Sequence, residues 1–155
     1  MNELDRKILL SLLKDSSRPV VEIAKEVGAT RQTVAKKVEQ MRAKGAIQTF
    51  TVQVNPEFFG LHTKAYIFLH EEPDPSLRKA NEQRIKRMPE VSEFYRLFGR
   101  YSAVVEVLTK DSGELAGVVR KIHRLKGVRE TETFIVHSII KSQPAAPLVH
   151  MLQQE

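Results

Sequence analysis

Val20 to Gly45, VVEIAKEVGATRQTVAKKVEQMRAKG, decides how the rest of the chain is read. Val20, Ile23, Ala24 and Val27 recur at helical spacing and give a short helix an apolar stripe. Gly28 supplies the left-handed backbone position that ends a helix without a Cβ clash. Thr30 follows as an N-cap, its oxygen placed to accept a free amide of the next turn. Val34, Val38 and Met41 then fall on one side of a second helix, at i, i+4 and i+7. The other side carries Gln32, Lys36 and Gln40, with Thr33 and Lys37 flanking. Gln pairs bidentately with adenine, Lys reaches guanine or phosphate, and Thr reads donor or acceptor edges. The pattern predicts a helix-turn-helix whose second helix enters a major groove, with Thr30, Arg31, Gln32, Thr33, Lys36 and Lys37 as its DNA-binding residues. From Thr30 to Gly45 five basic residues face one acid, Glu39, whereas a merely solvated helix mixes its signs.

The chain of 155 residues has room for one domain or two small ones. Its net charge of +6 favours a polyanionic partner, and the excess is uneven. Residues 1–50 hold 10 basic against 6 acidic side chains, and residues 51–155 hold 15 against 13. There is no cysteine, which removes disulfides, thiol chemistry and cysteine-ligated zinc. No apolar run approaches the ~20 residues of a membrane span, and the start lacks a signal-peptide core. The expectation is a cytoplasmic protein without membrane attachment, metal or cofactor.

Outward from the helix-turn-helix, Leu4, Ile8, Leu9 and Leu12 predict an opening helix to about Asp15, and Pro19 starts the next. Leu9, Leu13, Ile23, Val34 and Val38 are the expected core of this head, residues 1–45. Phe50, Val52 and Val54 alternate with Thr49, Thr51 and Gln53, which predicts a half-buried strand within a linker over residues 46–61. Residues 62–141 then read strand, helix, strand, strand, helix, strand. Thr63–Glu71 is a strand, Asp74-Pro75 caps a helix to Met88, and Val91–Phe98 and Tyr101–Thr109 are strands about a tight turn at Gly99-Arg100. Asp111 with Glu114 has capping-box spacing and opens a helix to Leu125; Thr131–Lys141 is the last strand. Pro144 and Pro147 interrupt a tail over residues 142–155. The fold class is α+β, a helical head followed by a ferredoxin-like βαββαβ sandwich. One sheet face is left to be covered, with Tyr66, Phe68, Phe94, Phe134 and Val136 available to a second copy, so the protein is expected to dimerise through this domain.

The chain resembles the Lrp/AsnC ("feast/famine") transcription regulators over nearly its whole length. The resemblance rests on LDRKILLSLLKDSSRP, on EIAKEVGATRQTVAKKVEQMRAKGAIQTFTVQVNP, on MPEV, on the glycine of LFGRYSAVVEV, and on LKGV with Thr131-Glu132-Thr133. It implies a winged-helix-like head, a linker strand pairing across a dimer, and a ferredoxin-like effector domain. It also implies assembly of dimers into tetramers or octamers on double-stranded DNA, and an amino-acid effector bound between dimers. Gly99, Arg100, Ser102, Thr131 and Thr133 are the effector-site positions it points to. The chain departs from the family at the turn, where Arg100 and Ser102 stand in place of acids that hold a ligand's ammonium group.

Other groupings carry less. The five histidines lie in separate elements without ligand spacing. Gly99 alone is no phosphate cradle. Asp111 and Glu114 read as capping rather than as a catalytic carboxylate pair. Arg120, Lys121, Arg124, Lys126 and Arg129 form a second basic run, either a solvated face or a secondary DNA track. Siroheme decarboxylases resemble the same two-domain plan but have a histidine near the strand turn, where this chain reads RYSAVVEV. A third alternative is an assembly partner of paralogous regulators that does not itself bind DNA.

Overall fold

The computed structural model describes residues 1–154. These form two compact units, one from Met1 to Gln53 with the C-terminal segment from Lys141, the other Val54–Ile140.

In the first unit, α1 (Glu3–Lys14), α2 (Val20–Val27) and α3 (Arg31–Ala43) meet where the periodicity places them. Asn2 caps α1 by accepting the Asp5 amide at 2.8 Å. Gly28 ends α2 at φ +71°, a conformation that costs an L side chain about 1–2 kcal/mol. Thr30 then caps α3 by accepting the Thr33 amide at 3.1 Å. The core is Ile8, Ile23, Ala24, Val34, Met41 and Ile47, with Leu9 and Val38 packed around it. Ile8 rather than Leu13 is the contribution of α1 at its centre. The tail differs from the expected irregular segment. It forms a further helix, α6 (Ala146–Gln154), in which Pro147 lies in the first turn, where no amide partner is needed. Leu152 is buried to 2% exposure, and Arg6 on α1 donates to its carbonyl at 3.3 Å.

The expected strand over residues 50–54 is absent from the single chain. Phe50, Val52 and Val54 are exposed, and a lone alternating segment without a neighbouring strand has nothing to hydrogen-bond. A 3-10 turn, Pro56–Phe59, capped by Asn55, leads into the second unit.

There, β1 (Thr63–Glu71), α4 (Pro75–Ile85), β2 (Val91–Arg96), β3 (Ala103–Thr109), α5 (Ser112–His123) and β4 (Val128–Ile135) form a ferredoxin-like fold. The sheet is antiparallel in the order β2-β3-β1-β4. Asp74 caps α4, accepting the Ser76 and Leu77 amides at 2.8 and 3.1 Å. Asp111 accepts the Glu114 amide at 2.8 Å, while the Glu114 carboxylate accepts from the amide of Lys110 rather than of Asp111, at 2.7 Å. Alternation sets the faces: Ala65, Ile67, Leu69, Ala103, Val105 and Val107 are fully buried beneath α4 and α5 with Ile85, Val118 and Ile122. Gly127, at φ +83°, lets the entry to β4 approach α4, since a Cβ there would lie 2.9 Å from a Leu77 methyl.

Three strand expectations change. The last strand is Val128–Ile135, not 131–141, because β1 offers ladder partners only to that stretch and to Val136. The β2–β3 connection is a six-residue loop, Leu97 to Ser102, closed by the Leu97 amide on the Ser102 carbonyl at 3.0 Å, rather than a tight turn. Phe94 pairs with Val105 and packs in the core, so it belongs to the covered face; Tyr95 takes its place on the open one.

Candidate nucleic-acid interface

Helix α3 stands on the head with Val34 and Met41 buried, which turns Arg31, Gln32 and Lys36 to solvent. Arg31 and Lys36 form no ion pair among the described residues, while Lys7, Arg18, Lys37 and Arg42 are each held by a carboxylate. Thr30 and Thr33 are tied together at the helix start, their hydroxyl oxygens 2.9 Å apart. Lys37 sits differently from its neighbours. Its ammonium lies 3.1 Å from Asp5 on α1, and both side chains are largely covered. In this state it braces α3 against α1, and the exposed cationic surface of α3 consists of Arg31, Lys36 and the Glu39-paired Arg42. The Asp5 partner carries no sequence signal beyond its place on the apolar-striped helix.

The five effector-site positions separate. Gly99 and Arg100 are exposed in the β2–β3 loop. The Arg100 guanidinium lies 5.2 Å from the Tyr101 ring centre, and neither Glu106 nor Glu132 neutralises it. The Ser102 hydroxyl is spent on the sheet, donating to the Leu69 carbonyl and accepting the Glu71 amide, both at 3.0 Å. Thr131 and Thr133 lie opposite Leu69 and Ile67 and so share the helix-covered face, where the Thr131 hydroxyl is 3.2 Å from His123 Nδ1. The loop pair and the threonine pair do not form one site within a single chain.

The loop is pinned at its stem. Glu71, at the end of β1, has a side chain only 1% exposed and is paired with Arg96 at the end of β2. Asn81 on α4 donates to it at 3.0 Å, and Arg96 also holds Glu82 at 2.8 Å. Residue spacing alone gives no hint of this network.

The open sheet face gathers side chains that the alternation of TKAYIFLHE partly signals. Phe68 meets Phe134 edge-on at 5.6 Å and Tyr101 at 5.2 Å, and the Tyr101 hydroxyl donates to Glu132. Beside them Lys64 pairs with Glu106 at 2.8 Å. Burial alone pushes the Glu106 carboxyl up, but hydrogen bonds from Lys64, Ser92 and Tyr66 outweigh it and hold its pKa below the usual carboxylate value. Among the described residues no cluster of three metal-ligating side chains occurs, and no helix is long and apolar enough to cross a membrane.

Comparison with known proteins bears on both units. The profile of the AsnC-type helix-turn-helix domain matches residues 1–42, and that of the Lrp/AsnC ligand binding domain matches residues 64–146. The chain is 31% identical over 148 residues to the HTH-type transcriptional regulator FL11 of Pyrococcus furiosus, covering 96% of this chain and 97% of that protein. Among solved structures, E. coli AsnC superposes with a TM-score of 0.83 at 26% identity, covering 92% of this chain and 95% of that one. A Neisseria meningitidis transcriptional regulator solved with L-Met superposes with a TM-score of 0.90 at 20% identity, covering 97% and 99%, and shows the fold is shared. These matches support the regulator reading over the decarboxylase and the assembly-partner readings. With a helix-turn-helix in one unit, the ligand-binding fold in the other, and relatives along nearly its whole length, the chain belongs to the Lrp/AsnC family and is a sequence-specific DNA-binding transcription regulator.

Proposed function

We propose that the protein works in the cytoplasm as a two-fold dimer, by binding rather than catalysis. Each copy lays α3 in one of two successive major grooves of a pseudo-palindromic operator. Half-sites related by the two-fold are then ~10 bp, or a multiple, apart. Gln32 reads a base, Arg31 and Lys36 reach bases or phosphate, and Thr30 and Thr33 fix the helix start from which they project. The observation that carries this is the outward set Arg31, Gln32 and Lys36 on one face of α3, its two cations without an ion pair while Lys37 and Arg42 of the same helix are each held by a carboxylate. The open sheet face and the exposed alternating segment Phe50, Val52 and Val54, which forms no strand within one chain, support pairing with a second copy. Gln32→Ala is expected to relax preference at one operator position by ~1–3 kcal/mol while leaving affinity for other sequences unchanged. Selection from a random duplex pool, followed by anisotropy on the selected site, measures it; unchanged preference would mean α3 is not the reading helix.

The effector, in this reading, is not an ordinary neutral amino acid held by the family contacts. Arg100 supplies a cation where an ammonium needs an anion, and at 4 Å with an effective dielectric of about 20 that reversal is worth ~4 kcal/mol each way. A ligand rich in carboxylate or phosphate suits Arg100 instead. Calorimetry with leucine and methionine is expected to show no micromolar binding. Binding that disappears in Arg100→Ala or Thr133→Ala would show that the family site survives.

A further inference from the structure

The near-balance of charge in the second unit conceals a segregation. The open sheet face carries Glu93, Glu106, Glu130 and Glu132, against Lys64, which is already paired. The helix layer is the reverse. Residues 75–88 and 112–126 hold nine Lys or Arg and two Glu. Both acids are occupied: Glu82 holds Arg96 at 2.8 Å, and Glu114 accepts the Lys110 amide at 2.7 Å. Acids bordering the layer are occupied too, Glu90 by Lys121 at 3.2 Å and Glu72 by Arg129 at 3.5 Å. Asp74 and Asp111 are spent on helix caps. What remains besides Lys79, near the start of α4, is Arg84, Lys86, Arg87, Arg120, Arg124 and Lys126, all exposed and without an ion-pair partner among the described residues. The three from α4 and its exit, with the three from α5 and its exit, make one face of the domain cationic. A solvated helix pair of ordinary composition interleaves its signs, and unpaired like charges destabilise each other unless a polyanion compensates them.

We propose that this helix layer is a second DNA-binding surface, contacting duplex phosphates without reading sequence. The proposal rests on the helix-turn-helix reading only in taking duplex DNA as the polyanion; its residues lie in the other unit and none is shared with α3. Such contacts displace condensed counterions, so each phosphate engaged adds about 0.9 to the slope of log affinity against log salt. They require charge but not guanidinium geometry, so Lys serves as well as Arg.

The test uses the full chain and a mixed-sequence duplex of about 100 bp, titrated across salt. In one variant the six residues are replaced by Gln; a milder one carries only Arg120→Gln and Arg124→Gln, and circular dichroism and mass confirm folding and assembly. The sixfold variant is expected to lose at least about tenfold in affinity near 100 mM salt and about 3–5 from the slope. The double variant should lose about 1–2 from the slope, and Arg120→Lys with Arg124→Lys should restore it. A folded variant with wild-type slope overturns the proposal, and so does a loss seen with single-stranded RNA but not with the duplex. Arg31→Ala with Lys36→Ala separates the two surfaces. If that variant binds as wild type while the Gln variants lose slope, the head has been misread and the helix layer stands.

Discussion

Replacing Phe68 by Glu is expected to turn the protein into a monomer and to lower its affinity for a two-half-site operator by at least ~100-fold. Phe68 is half-buried on the open sheet face and flanked by Phe134 and Tyr101 at 5.6 and 5.2 Å. In a two-fold interface one substitution appears twice, so the dimer would have to desolvate two carboxylates. An unpaired buried charge costs several kcal/mol, which exceeds what one aromatic contact returns. Folding of the single chain should change little, because in the lone protomer Phe68 is already partly in water. Sedimentation gives the mass, and anisotropy on a duplex selected from a random pool gives the affinity. A dimeric mass for the folded variant would place the interface elsewhere.

Arg96→Ala is the second large effect, on stability rather than assembly. It leaves the Glu71 carboxylate, with a side chain 1% exposed, dependent on Asn81 at 3.0 Å. Removing one partner of a buried pair costs about 3–5 kcal/mol, and the 33% exposure of the Arg96 side chain puts this case near the lower end. The midpoint of thermal unfolding should fall by roughly 12–20 °C. Adding Glu71→Gln removes the stranded charge, so the double variant should recover part of the loss. Equal losses in the single and double variants would show that the stranded Glu71 charge is not what destabilises the fold. The loop carrying Gly99 and Arg100 leaves the sheet at Arg96 and rejoins it at Ser102, which accepts the Glu71 amide at 3.0 Å. Its mobility should therefore rise in the same variant.

Most of the head was legible because its signals are local. A stripe at helical spacing, a glycine at φ +71° and a threonine cap each act within one or two turns, and all three stand in the structure. The sheet order followed from the sequence of element types, with one error of face at Phe94. That residue lies in a strand whose covered and open positions, Phe94 and Tyr95, are both aromatic, so alternation does not distinguish them. Long-range pairing was invisible. Nothing near Lys37 in the chain points to Asp5, and nothing near Arg96 points to Glu71, because such ion pairs depend on two elements meeting. The linker forms no strand within one chain for a related reason: Phe50, Val52 and Val54 have the right alternation but no neighbour in the same chain. The tail failed because two prolines outweighed Leu148, Val149 and Leu152, although a proline in the first turn is compatible with a helix.

The packing of α6 on α1 makes the sheet domain an insertion within the DNA-binding unit. Order of synthesis then runs against the usual pattern, in which an N-terminal domain completes itself before the next is made. Here α1, α2 and α3 emerge first, but Leu152 and the carbonyl that receives Arg6 arrive only after the whole sheet has been translated. A nascent or prematurely ended chain thus carries an unfinished head, and proteolysis within residues 48–55 would cut one connecting segment yet leave α1–α3 attached to the rest of the chain through their packing with α6.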